Sequence, residues 1–305
     1  DIRSLFRLQA LFNFTDEKWE DFSVDPYSRN DQSRAKWSFP KLKPGDLVLK
    51  DLGFFTLEST EQLMEEQFLI SRWHPQVHLF SAKGEKLDLV ALLKNKKQID
   101  MPVLVGSKKR LPMRLVARKL PKKKATQRIK EARQERHANA NHSKKYFQLL
   151  RFEIYLTNIS NTILNAKQLA KLYGLRWYIE ILFKSWKSYA NFKKMFLKDH
   201  LKYYRVIITI YLMLIQFVYL TNDIYQYVHQ KINEGNQKLI KFISAIKFID
   251  VVNDLFNPIL AIQSLEQLEP FIIQFKNHAV YEKRKDRINM KEKYLYFKEL
   301  SITAT

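Results

Sequence analysis

The succession between Pro44 and Trp73 constrains the fold more than any other part of this chain. A Pro44-Gly45 turn launches a short buried-strand pattern from Asp46 to Asp51, a helical pattern follows from about Leu57 to Gln67, and Phe68 to Trp73 reads as a second strand. Strand, helix and strand in this order predict a mixed α/β sheet. Upstream, Ser4 to Phe14 is strand-like, Asp16 to Lys18 is a polar turn, Trp19 to Val24 returns as a strand, and residues 26–40 form a polar loop.

The character changes at about His74. Short strand patterns (Val77 to Phe80, Pro102 to Val105, Met113 to Ala117) alternate with basic stretches at Lys108 to Arg110 and Arg118 to Lys124. Lys122 to His137 is a polar, basic helix pattern without a strong apolar face. Residues 74–150 are therefore expected to be a basic, β-rich insertion. The sheet pattern resumes at Phe152 to Asn158, a helix is expected from roughly Asn165 to Tyr189, and residues 201–305 read as a helical tail.

Charge narrows the partners. Lys and Arg total 53 against 31 acidic residues, a formal net charge of +22 whose self-repulsion is only a cost unless a polyanion offsets it. Nucleic acid is the first such partner and an anionic membrane surface the second. Cysteine is absent, which removes disulfides, thiolate zinc sites and thiol nucleophiles and fits a cytoplasmic protein. The apolar run Val206 to Leu220 contains Gln216 and is too short to span a bilayer comfortably, so it reads as a core helix and no membrane partner is expected. With six glycines and no Gly-rich phosphate loop, an ATPase or kinase is unsupported. His74, His78, His137, His142 and His200 have no spacing that suggests a joint metal site.

The stretch Y-G-L-R-W-Y-I-E-I-L-F-K-S-W-K, Tyr173 to Lys187, carries the chemistry. On a continuous helix at about 100° per residue, Tyr173, Arg176, Glu180 and Lys187 fall at about 0°, 300°, 340° and 320°. Leu172, Leu175, Ile179, Leu182, Phe183 and Trp186 occupy the adjacent arc. A carboxylate among an arginine, a lysine and a phenol suits metal-assisted work on a phosphate. The plainer alternative is an amphipathic helix with an Arg176–Glu180 surface pair.

The spacing Y-(2)-R-(3)-E-(6)-K resembles the signature of the YREK group of insertion-sequence DDE transposases, the IS-four-type family with a ribonuclease-H-like core. Arg176-Trp177, Ile179-Glu180 and Phe183-Lys184 are similar to its R-W-x-I-E-x-x-F-K context, and Tyr155 to Asn158 to its strand ending in T-N. Leu42 to Phe55 resembles the segment bearing the second catalytic aspartate. The resemblance spans roughly residues 4–200. It implies a ribonuclease-H-like α/β core in two parts, 1–73 and 151–200, interrupted by the insertion.

The same resemblance implies cleavage of DNA at transposon inverted-repeat ends and strand transfer to target DNA, with Mg²⁺ held by Asp51 and Glu180. Tyr173, Arg176 and Lys187 would contact the DNA backbone, and a homodimer in the DNA complex is compatible with pairing two ends. Asp51 is independently suggestive, because it ends a strand before Gly53, where α/β sheets place ligands, although a turn-capping aspartate is the alternative. The family uses three carboxylates. The first is expected on a strand preceding one like Leu5 to Phe14, so upstream sequence is expected to be missing and the chain to bind DNA without cutting it. A catalytically incomplete DNA-binding remnant is the rival reading, and an unrelated nuclease of the same fold a second.

Overall fold

The computed structural model describes residues 6–26, 31–134, 143–188, 220–235 and 241–281. They form two compact units, one containing residues 31–176 and the other residues 6–26 together with 177–281.

The first unit is built on a six-stranded mixed sheet. Its strands are β3 (Leu47–Lys50), β4 (Phe68–Arg72), β5 (Leu79–Phe80), β6 (Gln98–Val105), β7 (Leu111–Lys119) and β8 (Phe152–Thr157), in spatial order β3-β4-β8-β7-β6-β5. β3 and β4 are parallel and the other pairs antiparallel. The turn into β3 needs Gly45 at φ +84°, and the Asp46 carboxylate accepts the Lys43 N–H at 2.7 Å, so Asp46 is a turn residue.

A parallel pair requires a crossover, and α1 (Leu57–Met64) supplies it, started by Thr56, whose side chain accepts the Ser59 N–H. Leu69, Val105, Leu115 and Leu156 have no solvent exposure, so the core lies against β4, β6, β7 and β8. Beside it, Arg114 on β7 forms two 2.7 Å contacts to Asp100 and donates to the Ile159 and Leu164 carbonyls at 3.1 and 2.8 Å.

The end of β8 is clasped to β4 by side chains. The Thr157 hydroxyl donates to the Leu69 carbonyl at 2.7 Å, the Asn158 amide oxygen accepts the Leu69 N–H at 2.9 Å, and its NH₂ donates to the Gln67 carbonyl at 2.8 Å. The chain then turns into α5 (Ala166–Tyr173), opened by an Asn165–Gln168 capping box.

The second unit holds an antiparallel hairpin, β1 (Phe6–Asn13) with β2 (Lys18–Pro26), and helices α6 (Trp177–Ser188), α7 (residues 220–233), α8 (Ala245–Asp254), α9 (Phe256–Ala261) and α10 (Ile272–His278). Phe12, Phe14 and Trp19 pack against buried Tyr178, Leu182 and Ala245. Ile224, Ile243, Leu268 and Phe275 form a second, fully buried centre. Burial raises the Tyr178 and Tyr225 phenols well above their ordinary range, and Tyr225 donates to Glu17 at 2.5 Å.

Several expectations change. The hairpin forms its own two-stranded sheet instead of joining the six-stranded one, because its ladder partners are each other. The strands within residues 74–150 extend that larger sheet through the β7–β8 ladder. The single helix expected over about 165–189 is broken by a 3₁₀ turn, Gly174–Arg176, so a continuous 100° count does not carry through it. Two short helices were not expected, α2 (Leu89–Leu93) and α4 (Lys144–Leu149), capped by Asp88 and Ser143. The basic pattern from Lys122 forms α3 (Lys122–Gln134). Residues 206–219, 137, 142 and 200 lie outside the described residues, and among those described no helix is long and apolar enough to cross a membrane.

Candidate functional site

Asp51 follows the last residue of β3, in extended conformation, and its backbone opens a 3₁₀ turn over Leu52–Phe54. Its side chain is half exposed, and one carboxylate oxygen lies 3.2 Å from an Arg176 guanidinium nitrogen. Arg176 comes from the 3₁₀ turn after α5 and is 19% exposed, with its guanidinium 5.9 Å from the centre of the Tyr173 ring. Tyr173 is buried, stacks at a tilt on Tyr155 with centroids 5.2 Å apart, and donates its hydroxyl to the Lys50 carbonyl at 3.3 Å. Burial pushes its phenol up to about 12, with Arg176 pulling it down and Asp51 raising it further.

The carbonyl that receives Tyr173 belongs to the residue before Asp51. The signature stretch is therefore fastened to the end of β3 both through the backbone and through an ion pair, across more than a hundred residues of sequence.

Two neighbours were not singled out by sequence. Lys50 is buried, and its ammonium donates to the Ser59 hydroxyl at 2.6 Å on α1; burial lowers its pKa to about 8. Ser59 in turn is held by Thr56, whose hydroxyl lies 2.7 Å away. A lysine in the alternating pattern of a four-residue strand was the available signal, since Val48 and Lys50 share a face. Asp31, in the loop between β2 and β3, comes so near the Asp51 turn that a Cβ on Gly53 would lie 2.9 Å from its Oδ2. A side chain at position 53 would displace the Asp31 carboxylate from that approach. Nothing in the loop's sequence marked Asp31.

Glu180 and Lys187 both lie on α6 in the other unit. Glu180 is half-buried in the first turn, where a carboxylate meets the positive end of the helix dipole. The Lys187 side chain is outside the described residues. The structure thus brings Asp51, Tyr173 and Arg176 together in one unit. Among the described residues no three His, Cys, Asp or Glu side chains gather as a metal cage. At the end of β3 the sheet unit offers a hard cation the half-exposed Asp51 carboxylate, with the Asp31 carboxylate beside the same turn, and carboxylates are the right kind of donor.

A mixed sheet with a parallel β3–α1–β4 crossover, a carboxylate at the β3 end and a C-terminal helical region is the ribonuclease-H-like class of fold. The family profile described as "Transposase DDE domain" matches residues 3–215, and the chain belongs to that family. It is similar to the transposase for insertion sequence element IS231F of Bacillus thuringiensis subsp. israelensis, 28% identical over 204 residues, covering 60% of this chain and 43% of the relative. The transposase for IS231E of Bacillus thuringiensis subsp. finitimus is 26% identical over 234 residues, 68% of this chain and 48% of the relative. The transposase for IS1151 of Clostridium perfringens is 29% identical over 167 residues, 47% of this chain and 35% of the relative. The chain thus spans less than half the length of these curated relatives.

Proposed function

We propose that this chain is the catalytic portion of an insertion-sequence transposase of the YREK group, cutting DNA at the element's inverted-repeat ends and joining them to target DNA. The observation that carries the reading is the Asp51–Arg176 pair, in which a β3-end carboxylate meets an arginine of the signature stretch. Family membership over residues 3–215 supports it independently.

In this reading Asp51 and Glu180 hold Mg²⁺, which when bound supplies activation of the attacking oxygen and stabilisation of the leaving one. The remaining roles belong to the chain's own groups. Arg176 offers a planar fork to phosphate oxygens, Lys187 a point charge, and Tyr173 a phenol beside the arginine. Tyr173 also ties the signature stretch to the Lys50 carbonyl, which orients Arg176 toward the β3 end. A homodimer on DNA would present two such sites to two ends.

In the transposase that bears this sequence, Asp51→Asn and Glu180→Gln should each lower Mg²⁺-dependent cleavage of a duplex carrying the element's ends by on the order of a thousandfold. Duplex binding should persist in both. Arg176→Ala and Lys187→Ala should instead weaken binding and reduce the log–log salt slope by about one unit each. Cleavage that survives the loss of either carboxylate would overturn the assignment.

A further inference from the structure

One end of the six-stranded sheet collects lysines that are far apart in the sequence. Lys94, Lys96 and Lys97 lie in the turn between α2 and β6, a tight one with Asn95 at φ +61°. Lys119 ends β7, and its N–H donates to the Lys97 carbonyl at 2.9 Å, which pins the two segments side by side. After buried Leu120 the chain enters α3, whose first residues are Lys122, Lys123 and Lys124. All of these side chains are exposed, and among the described residues none forms an ion pair.

The described acidic groups of β6, β8 and α3 have partners of their own. Asp100, two residues into β6 from Gln98, is bound by Arg114, and Glu153, the cross-strand neighbour of Arg118, lies 3.6 Å from Arg128. Glu131 on α3 accepts from Gln127. Among the described residues no carboxylate is ion-paired with these lysines, so the corner keeps a net positive charge whose repulsion the fold must sustain.

We propose that this lysine corner, at the same end of the sheet as Asp51 but three strands away across it, is a sequence-independent seat for the phosphate backbone of duplex DNA. Lysines suit the task because phosphate contacts fix position and carry no base information. A membrane seat would place large apolar side chains beside the basic ones for insertion. The exposed large apolar residues include Leu47, Phe68, Ile163 and Trp177, and none lies within residues 94–97 or 119–134. The proposal rests on DNA being the partner, as the transposase reading has it.

The test is a salt titration of binding to a short duplex of arbitrary sequence, using the whole chain. Replacing Lys96, Lys97, Lys122 and Lys123 together with Gln should lower the log–log slope by roughly three units and the affinity near physiological salt by on the order of a hundredfold. A matched variant with Lys41, Lys43, Lys83 and Lys108 changed to Gln loses the same charge from exposed positions elsewhere and should retain most of the slope. Equal slopes for the two variants would overturn the corner while leaving the transposase reading intact. Failure of the unmodified chain to bind any duplex would overturn that reading and the corner with it. Binding to phosphatidylserine vesicles that disappears in the corner variant, with the DNA slope unchanged, would assign the corner to membranes and equally overturn the proposal.

Discussion

Two aspartate–arginine pairs in the sheet unit show how the same chemistry is put to different uses. Arg114 and Asp100 meet through two 2.7 Å contacts, with side chains 10% and 23% exposed, and the spare guanidinium donors go to the Ile159 and Leu164 carbonyls. Arg176 and Asp51 share one 3.2 Å contact, and Asp51 is 50% exposed. The first pair is saturated and structural. The second leaves carboxylate lone pairs facing solvent, which the proposed role as a metal ligand would use.

The largest expected effect would come from the saturated pair. Arg114→Met leaves Asp100 and two carbonyls without their donors, and urea unfolding should show a loss of about 3–5 kcal/mol. A loss under about 1 kcal/mol would mean that the two pairs are equivalent and the comparison fails.

A middle effect belongs to Lys50, whose buried ammonium sits one residue from Asp51. Its pKa is lowered to about 8 in the fold against 10.5 ordinarily, so between those values the unfolded chain binds more protons. Stability must then rise with pH across that window, by at most roughly 3 kcal/mol for this group. Lys50→Met should remove that rise, seen as flatter unfolding free energies from pH 8 upward. An identical pH dependence in the two proteins would show that Lys50 is solvated in the folded state.

The smallest effect is expected at Asp51 itself. Asp51→Asn gives up one half-exposed contact and should change stability by less than about 1 kcal/mol. A larger loss by thermal or urea unfolding would make the Asp51–Arg176 pair a structural element like the other.

Sequence patterning reached most of the sheet unit because its strands are bounded by turn residues and its crossover helix begins at a capping threonine. It missed α2 because five apolar residues, Leu89 to Leu93, are too few to show a period, and Asp88 reads equally as a turn. The break at Gly174–Arg176 was hidden for another reason. Gly174 keeps right-handed helical angles, φ −60° and ψ −21°, and apolar Leu172 and Leu175 keep helical spacing across the change to 3₁₀ bonding. Asp51 and Arg176 were each legible as candidates. Their direct pairing was not, since no local pattern reports a contact across 125 positions, and Asp31 enters beside Gly53 from a loop without periodicity.

The Thr157–Asn158 clasp has a consequence for how the molecule is made. It joins β8 to β4 across 88 to 91 positions of chain, whereas β6 and β7 are neighbours joined by a short turn. Closing a long loop costs entropy that must be spent before its contacts repay it. The β6–β7 hairpin is thus suited to form early and to recruit β8, with β3 and β4 fastened on afterwards. The end of β3, which Asp51 follows, would be among the last parts to be locked, so the proposed site would be complete only when folding is nearly complete.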